Sequence, residues 1–259
     1  MSFKRMVAIA ATAAAVSAAG SAAAYSVIQI PSASFTPSAG LITFSEVPLG
    51  TSNPVYTPAM YGGAAGSPTV TFGGYFNGQT AGSTNPSACP TGAAVTGCVL
   101  GNPTGPLTIN PSSPATFTAS DGAMPTTPVL SGTPLFNGSI AILFSTPQVA
   151  VGLIGGFFDA VASTAITVFD SNGNVIGSLA NNQIGDEFLA LETDDFAPHI
   201  AGLLFHLVGN EPAGFDVDNI QFAVAGGVTP PPGLPEPESL ALLGLGLVSF
   251  AVSRRRRTS

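Results

Sequence analysis

The chain has 259 residues, including 31 Gly and 23 Pro, and 45% of the residues are hydrophobic; this composition argues against a disordered chain and is typical of a protein with many strands and turns. The six basic residues, Lys4, Arg5 and Arg254, Arg255, Arg256 and Arg257, all lie near the ends, whereas residues 25–234 carry twelve of the fourteen acidic residues and no Lys or Arg. A body without cations cannot neutralise phosphates, so the charge pattern argues against nucleic-acid binding.

The first 24 residues are arranged like a secretory signal peptide. Lys4 and Arg5 form the charged part, residues 6–19 are apolar and rich in alanine, and small residues at 22–24 provide a cleavage site before Tyr25. The alternative is an N-terminal membrane helix, but the apolar part is short and consists of weakly hydrophobic residues. We therefore expect residues 1–24 to be removed on export.

Residues 25–225 are expected to form the folded body, an all-β antiparallel β-sandwich with jelly-roll-like topology. Short apolar runs are separated by Pro, Gly, Asn and Asp clusters, and no segment combines a helical period with capping residues. The predicted strands are residues 41–44, 69–72, 107–110, 115–118, 139–144, 148–158, 164–170, 175–179, 188–192, 200–208 and 215–224.

Residues 54–134 differ from the rest of the body, because they are rich in Gly, Pro, Ser and Thr and have few apolar runs. We expect long loops here, packed on one end of the sandwich. Cys89 and Cys98 are the only cysteines, and in an oxidising compartment their spacing predicts a disulfide that stabilises the fold by roughly 2–3 kcal/mol. Free thiols are the alternative, since the spacing fits neither a redox motif nor a zinc site.

Two local features of the predicted strands are specific enough to test. Residues 164–179 predict a β-hairpin, in which Asn172 and Gly173 favour a tight primed turn. In the final strand the apolar residues stand at 215 and 217 and then at 220 and 222. In a regular strand this change of parity would place the two apolar pairs on opposite faces. It therefore predicts a bulge around Asp218 and Asn219.

We predict no cofactor, with structural calcium as the one alternative. Asp170, Asn172 and Asn174 alternate as ligands do in calcium loops, but the glycine comes too early and no bidentate Glu follows at the required distance. A second acidic group either gathers at one edge to hold Ca²⁺ or forms a solvated acidic face. Its members are Asp186, Glu187, Glu192, Asp194, Asp195, Asp216 and Asp218.

The sequence offers no catalytic motif such as G-x-S-x-G or H-E-x-x-H, and we predict that the protein is not an enzyme. A glycosidase needs only two suitably spaced carboxylates, which leave no motif to search for. His199 and His206 are seven residues apart, a spacing that places them on opposite faces of a strand. Tyr56, Tyr61 and Tyr75 either stack on sugar rings or pack loops onto the core.

Three segments follow the body. Residues 226–234 form a Pro/Gly linker expected to be extended. Pro235, Glu236 and Pro237 then precede 13 largely apolar residues, 240–252, which as a helix would be about 20 Å long against a hydrocarbon core of about 30 Å. The four arginines at 254–257 would stay on the cytoplasmic side. Such a marginal helix is suited to tethering an exported chain briefly, and a permanent tail anchor is the alternative.

Residues 235–259 resemble the PEP-CTERM sorting signal, which some family descriptions label an ice-binding-protein C-terminal domain. The resemblance rests on Pro235, Glu236 and Pro237, the apolar helix and the arginine cluster, in that order. It implies that an exosortase, a membrane cysteine protease-transpeptidase, recognises the Pro-Glu-Pro segment and removes the tail. Proteins with this signal occur in Gram-negative bacteria that make exopolysaccharide and biofilm or floc matrix.

The resemblance implies an exported protein of the cell envelope or extracellular matrix with a structural, non-enzymatic role. The precursor is expected to be tethered to the inner membrane, facing the periplasm, before it reaches the cell surface or the matrix. The implied partners are the secretion machinery, an exosortase and, transiently, the inner membrane. The alternative function is a carbohydrate-binding module delivered by the same route, with exopolysaccharide as its partner.

Overall fold

The structure, a computed structural model, describes residues 25–64, 66–120, 128–212 and 215–229. The predicted signal peptide (1–24) and the predicted sorting signal with its tail helix (235–259) lie outside the described residues. The strands are β1 Val27–Gln29, β2 Gly40–Ile42, β3 Val55–Tyr56, β4 Val70–Gly73, β5 Thr80–Ala81, β6 Val99–Leu100, β7 Phe117–Ala119, β8 Val129–Ser131, β9 Ile140–Gln148, β10 Ala150–Phe158, β11 Thr164–Phe169, β12 Val175–Ala180, β13 Gly185–Thr193, β14 Ile200–Leu207 and β15 Asp216–Ala223. Single-turn 3-10 helices lie at Ser32–Ser34, Gly82–Thr84 and Pro86–Ala88.

Two sheets packed face to face make up the body, and the pairings within them are antiparallel. Sheet 1 has the strand order β1-β13-β10-β15-β8-β7, with β2 also pairing with β15. Sheet 2 has the order β12-β11-β14-β9-β4-β3. A separate two-stranded ribbon is formed by β5 and β6. The predicted all-β sandwich is therefore confirmed.

The last eight strands have jelly-roll topology. Sheet 1 contains β8-β15-β10-β13 as consecutive neighbours, and sheet 2 contains β9-β14-β11-β12. From β8 to β15 the chain crosses between the sheets at every step except the β11–β12 hairpin and so interleaves two Greek keys.

The central core lies between the sheets and follows the two-residue alternation of the strands. Leu189 and Leu191 of β13 point into it, together with Ile142 of β9 and Leu203 of β14. Burying a side chain of this kind is worth about 1.5–3 kcal/mol. Ala190, between the two leucines, faces the other way and belongs to a separate cluster.

Both sheets are also covered on their outer faces. The segment after β1, residues 30–39, runs over the outer face of sheet 1 and is called the strap here. Its Ile30 and Phe35 pack with Ala190 and Ala223 in the outer cluster of sheet 1. On the outer face of sheet 2, Phe76 and Leu107 of the Gly- and Pro-rich region pack with the group Ala141, Phe169 and Leu204. Because both faces are covered, β14 is apolar along almost its whole length rather than alternating.

The structure corrects the prediction for residues 54–134. This region does contain long loops, but the part around Phe76 and Leu107 packs across the outer face of sheet 2 rather than on one end of the sandwich. Four of its strands, β3, β4, β7 and β8, join the two main sheets. The predicted strand at 107–110 is wrong, because only an isolated bridge between Phe76 and Ile109 forms there. The predicted strands from residue 139 onward are confirmed in position, as β9 to β15.

The β11–β12 hairpin is confirmed, but its turn differs from the prediction. Of the predicted dipeptide only Gly173 has a positive φ, 81°, and the backbone N–H of Gly173 donates to the carbonyl of Asp170. A shift of register follows between Val168 and Phe169. The loop is thus a turn closed by a left-handed glycine bulge rather than a primed two-residue turn.

The bulge predicted in the final strand is confirmed. Gly152 of β10 faces Gln221 and Ile154 faces Asp218, so β15 has one extra residue in this interval. Asn219 has a φ of 47°, in the left-handed region that Asn tolerates better than most residues. The bulge keeps Val217 and Ile220 in the central core on either side of the parity change.

Candidate functional site

The point where the C-terminal segment leaves the body is a defined structure on the outer face of sheet 1. Val228 forms a β-bridge with Phe35 of the strap. The N–H of Thr36 donates to the carbonyl of Gly227 at 3.0 Å, and the N–H of Thr229 donates to the carbonyl of Ser34 at 2.8 Å. Hydrogen bonds on both sides of this bridge therefore hold residues 227–229 against the strap.

Apolar packing reinforces this exit. Val228 is 7% exposed and lies in the same outer cluster as Ile30 and Ala190. Residues 227–229 of the predicted linker are therefore hydrogen-bonded and packed against the body. Pro235 follows Thr229 by six residues, a span of about 19 Å if these residues are extended as polyproline. Pro235, Glu236, Pro237 and the four arginines at 254–257 lie outside the described residues.

The first described residues are also held, on the side of the sandwich where β1 joins β13. The hydroxyl of Tyr25 donates to Asp170 at 3.2 Å, and its ring stacks on the ring of His199. The backbone N–H of Ser26 donates to Asp194 at 3.1 Å, and its hydroxyl donates to the same carboxylate at 2.5 Å. These bonds from Ser26 lower the pKa of Asp194. Predicted cleavage before Tyr25 would leave all of these contacts in place.

The acidic residues considered as calcium ligands do not form a common site. Within the described residues no three His, Cys, Asp or Glu side chains converge as metal ligands. Asp195 instead contacts His199 at 2.9 Å, and Glu187 accepts backbone hydrogen bonds at the start of β13. Asp186 is exposed, whereas Asp216 and Asp218 are buried within β15. These carboxylates therefore lie apart, each in its own surroundings, within the part of the chain that the structure describes.

Asp170 organises its own hairpin turn. Its carboxylate accepts hydrogen bonds from the backbone N–H groups of Asn172 and Asn174 at 2.8 and 2.9 Å, and from the side-chain amide of Asn174 at 2.9 Å. Burial raises the pKa of Asp170, but these hydrogen bonds and the one from Tyr25 outweigh it and hold the pKa below its usual value. The side chain therefore fixes the hairpin turn.

The two histidines have separate partners. His199 precedes β14 and pairs with Asp195, whereas the Nε2 of His206 lies 3.0 Å from the hydroxyl of Thr167 on β11. Burial lowers the pKa of His206 to about 4, so its imidazole is neutral at physiological pH.

The three tyrosines considered for sugar stacking do not form an exposed platform. Tyr56 is fully buried in the central core, with its ring edge-on to Phe44 and Phe72. Tyr61 packs edge-on against Phe222 and donates its hydroxyl to the carbonyl of Pro68, closing its own loop. Tyr75 is half-buried against the outer cluster of sheet 2. The alternative interpretation, that these rings pack loops onto the core, is the one that the structure supports.

Cys89 and Cys98 are bonded, with their Cα atoms 5.9 Å apart. The ring that they close packs against the end of the sandwich where β14 finishes: the N–H of Leu207 donates to the carbonyl of Gly97 at 3.0 Å. A Cβ on Gly97 would lie 2.4 Å from the ring of Phe215, so a glycine is needed at this close approach.

Sequence reasoning missed the unusual environment of Glu192. The residue lies on β13 between Ile28 of β1 and Ala150 of β10, and its side chain is fully buried. Neither carboxylate oxygen has a hydrogen-bond partner among the described residues. Burial raises the pKa of Glu192 to about 7. No sequence signal could have identified it, because its neighbours come from distant parts of the chain.

Comparison with known proteins identifies the C-terminal segment. Residues 234–257 match the family model for the PEP-CTERM protein-sorting motif. No match was found among curated proteins. Within the described ranges, no helix is long and apolar enough to span a membrane. Residues 234–257 of the chain therefore carry this sorting motif.

Two solved structures show weak similarity. The enzymatically active domain of tailspike protein 4 from bacteriophage CBA120 is 15% identical, with a TM-score of 0.26, over 42% of this chain and 17% of that one. The catalytic domain of a GH87 α-1,3-glucanase in complex with nigerose is 12% identical, with a TM-score of 0.25, over 48% of this chain and 24% of that one. The chain thus matches less than a quarter of the length of either.

Proposed function

We propose that this protein is exported and sorted by an exosortase, which recognises Pro235, Glu236 and Pro237 and removes the apolar segment with its arginine tail. The single observation that carries the proposal is the match of residues 234–257 to the PEP-CTERM protein-sorting motif, a signal that indicates an exported protein. In this proposal the precursor is tethered at the inner membrane, and the processed body moves to the cell surface or extracellular matrix, where its role is structural and non-enzymatic.

Three features of the chain support export followed by processing at the membrane. The Cys89–Cys98 disulfide suits an oxidising compartment. The jelly-roll topology leaves the C-terminal exit on the outer face of sheet 1, where the strap fixes Thr229. A linker of five residues, 230–234, then separates the folded body from the motif. An enzyme at the membrane could thus act on the motif without unfolding the sandwich.

The sorting proposal is tested by the location of matched variants in the native host. Glu236→Ala changes the Pro-Glu-Pro segment, whereas Glu238→Ala changes the next carboxylate of the same matched motif, outside that segment. We expect Glu236→Ala to accumulate as an unprocessed, membrane-bound precursor and Glu238→Ala to leave the membrane like the wild type. Equal release of both variants would contradict recognition through the Pro-Glu-Pro segment.

A second candidate function, binding of exopolysaccharide, has one specific observation in its favour. An open cleft of about 530 Å³ lies beside the strap and is lined both by polar residues (Gln29, Ser32, Asn182, Gln183 and Glu187) and by apolar ones (Ile30, Pro31 and Phe188). Its volume falls in the range of small-ligand sites, roughly 300–1,000 Å³. Tyr56, Tyr61 and Tyr75 do not line it.

A further inference from the structure

The cleft lies between the start of the strap and the loop that joins β12 to β13. Gln29 and Ser32 line it from the side of the strap, and Asn182 and Gln183 line it from the loop. All four of these residues are exposed. The cleft therefore presents amide and hydroxyl groups from two separate parts of the chain.

Glu187 fixes the loop side of the cleft. It lines the cleft but is only 6% exposed, and its Oε2 accepts the backbone N–H groups of Asn182 and Gln183 at 2.8 and 3.2 Å. These two bonds hold the loop that carries the side-chain amides of Asn182 and Gln183, and the amide of Gln183 also donates to the carbonyl of Asp186 at 3.4 Å. Both hydrogen bonds that its carboxylate accepts from described residues use Oε2, which leaves Oε1 available as an acceptor.

An aromatic ring completes the cleft. Phe188 is half-buried and lines it, and its ring meets Phe35 of the strap edge-on, with centroids 6.2 Å apart and planes at 85°. This contact fixes the ring and leaves part of it exposed to the cleft. An apolar ring surface beside amides and a carboxylate suits a ligand with both C–H faces and hydroxyl groups.

The charges in and around the cleft indicate which class of ligand it can bind. Residues 25–234 contain no Lys or Arg, and the cleft itself contains a carboxylate. An anionic ligand would be repelled and would find no cation to pair with. Amides donate and accept hydrogen bonds, and a carboxylate accepts them, so hydroxyl groups can be bound from both sides.

We propose that this cleft binds a neutral glycan, with Asn182, Gln183 and Glu187 hydrogen-bonding its hydroxyl groups and Phe188 packing against a sugar ring. The inference deepens the second candidate function and is independent of sorting. It is tested on purified protein, whereas sorting is tested by location in the cell, so the failure of one is distinguishable from the failure of the other.

The test is calorimetric titration of the exported protein, purified from its host, with neutral hexasaccharides of glucose, galactose and mannose and with polygalacturonate. We expect binding to at least one neutral hexasaccharide and none to polygalacturonate. The double variant Asn182→Ala/Gln183→Ala should weaken binding at least tenfold. Asn172→Ala, which removes an exposed amide from the β11–β12 turn, is the matched control and should bind like the wild type.

Three outcomes would overturn the proposal: no heat with any neutral hexasaccharide at millimolar concentration, binding to polygalacturonate alone, or equal affinity in the double variant and the wild type. Glu187→Gln keeps the shape of the side chain but weakens its hold on the loop, so it should also reduce affinity. Thermal melting of each variant shows whether it is folded. A folded Glu187→Gln variant that binds as tightly as the wild type would remove Glu187 from the site.

Discussion

The ring of Tyr25 stacks on the imidazole of His199, with the ring centroids 3.7 Å apart and the planes within 4° of parallel. The contact joins the start of the described chain to the residue that precedes β14, and it lies next to the pairing of β1 with β13. Because Tyr25 is also the first residue after the predicted signal-peptide cleavage site, this stack would tie the mature N-terminus to the body.

A double-mutant cycle on this pair should give a coupling free energy of about 0.5–1.5 kcal/mol. Tyr25→Ala, His199→Ala and the double variant are compared by urea unfolding. Tyr25→Phe is the control, because it removes the hydrogen bond to Asp170 but keeps the stack. Additive losses in the cycle would show that the stack contributes nothing to stability.

Glu192 should make the stability depend on pH in a direction unusual for a carboxylate. Its folded-state pKa, about 7, lies above the ordinary value of 4.5, so the folded protein holds the proton more tightly between these pH values. The contribution of the protonated Glu192 to the free energy of unfolding is fully present below about pH 4.5 and is lost as the pH rises through 7. Glu192→Gln should therefore gain stability relative to the wild type by on the order of 3 kcal/mol between pH 4 and pH 8.

The variant must be compared with the wild type at each pH, because His206 has the opposite effect. The pKa of His206 is lowered to about 4, so the contribution of the neutral imidazole to the free energy of unfolding is lost as the pH falls from about 6.5 to 4. Asp186→Asn, which changes an exposed carboxylate on the same strand, is the control for Glu192→Gln. A constant stability difference between Glu192→Gln and the wild type from pH 4 to 8 would contradict a raised pKa.

Removing the disulfide should destabilise the body without unfolding it. The ring between Cys89 and Cys98 is short, so Cys89→Ser/Cys98→Ser should lower the free energy of unfolding by roughly 2–3 kcal/mol. Denaturant unfolding measures the change, and adding a reductant to the wild type should reproduce it. If the reductant leaves the wild-type midpoint unchanged, the ring does not support the sandwich.

The charge pattern makes a prediction about proteolysis. No Lys or Arg lies between Tyr25 and Leu234, so the mature protein, even when denatured and reduced, should survive trypsin as one fragment. Chymotrypsin, which cuts after aromatic residues, is the control and should degrade the same sample. Internal tryptic fragments seen by mass spectrometry would mean that the mature chain differs from residues 25–234.

Seven of the eight jelly-roll strands, β9 to β15, could be predicted in position because apolar runs stand between turn residues, as in β10 and β14. The bulge at Asn219 could be predicted too, because a parity change within one strand is a local signal. Short strands such as β1 and β8 were missed, since their three residues carry little pattern and depend on pairing with distant partners.

The arrangement around the outer faces depends on long-range packing and could not be predicted in the same way. Nothing local indicates that Phe76 and Leu107 cover sheet 2, or that Phe35 meets Val228 at the C-terminal exit. The cleft was missed for the same reason, because Gln29 and Gln183 are separated by more than half of the chain. The sorting motif, by contrast, is contiguous, and the signal predicted at residues 235–259 coincides with the family match at residues 234–257.

The most direct test of exosortase processing is the intact mass of the protein recovered from the envelope or medium of its native host, with and without the exosortase gene. The account predicts that the wild-type strain yields a chain lacking the arginines at 254–257, whereas the strain without exosortase retains them. A chain that ends at Ser259 in both strains would contradict it.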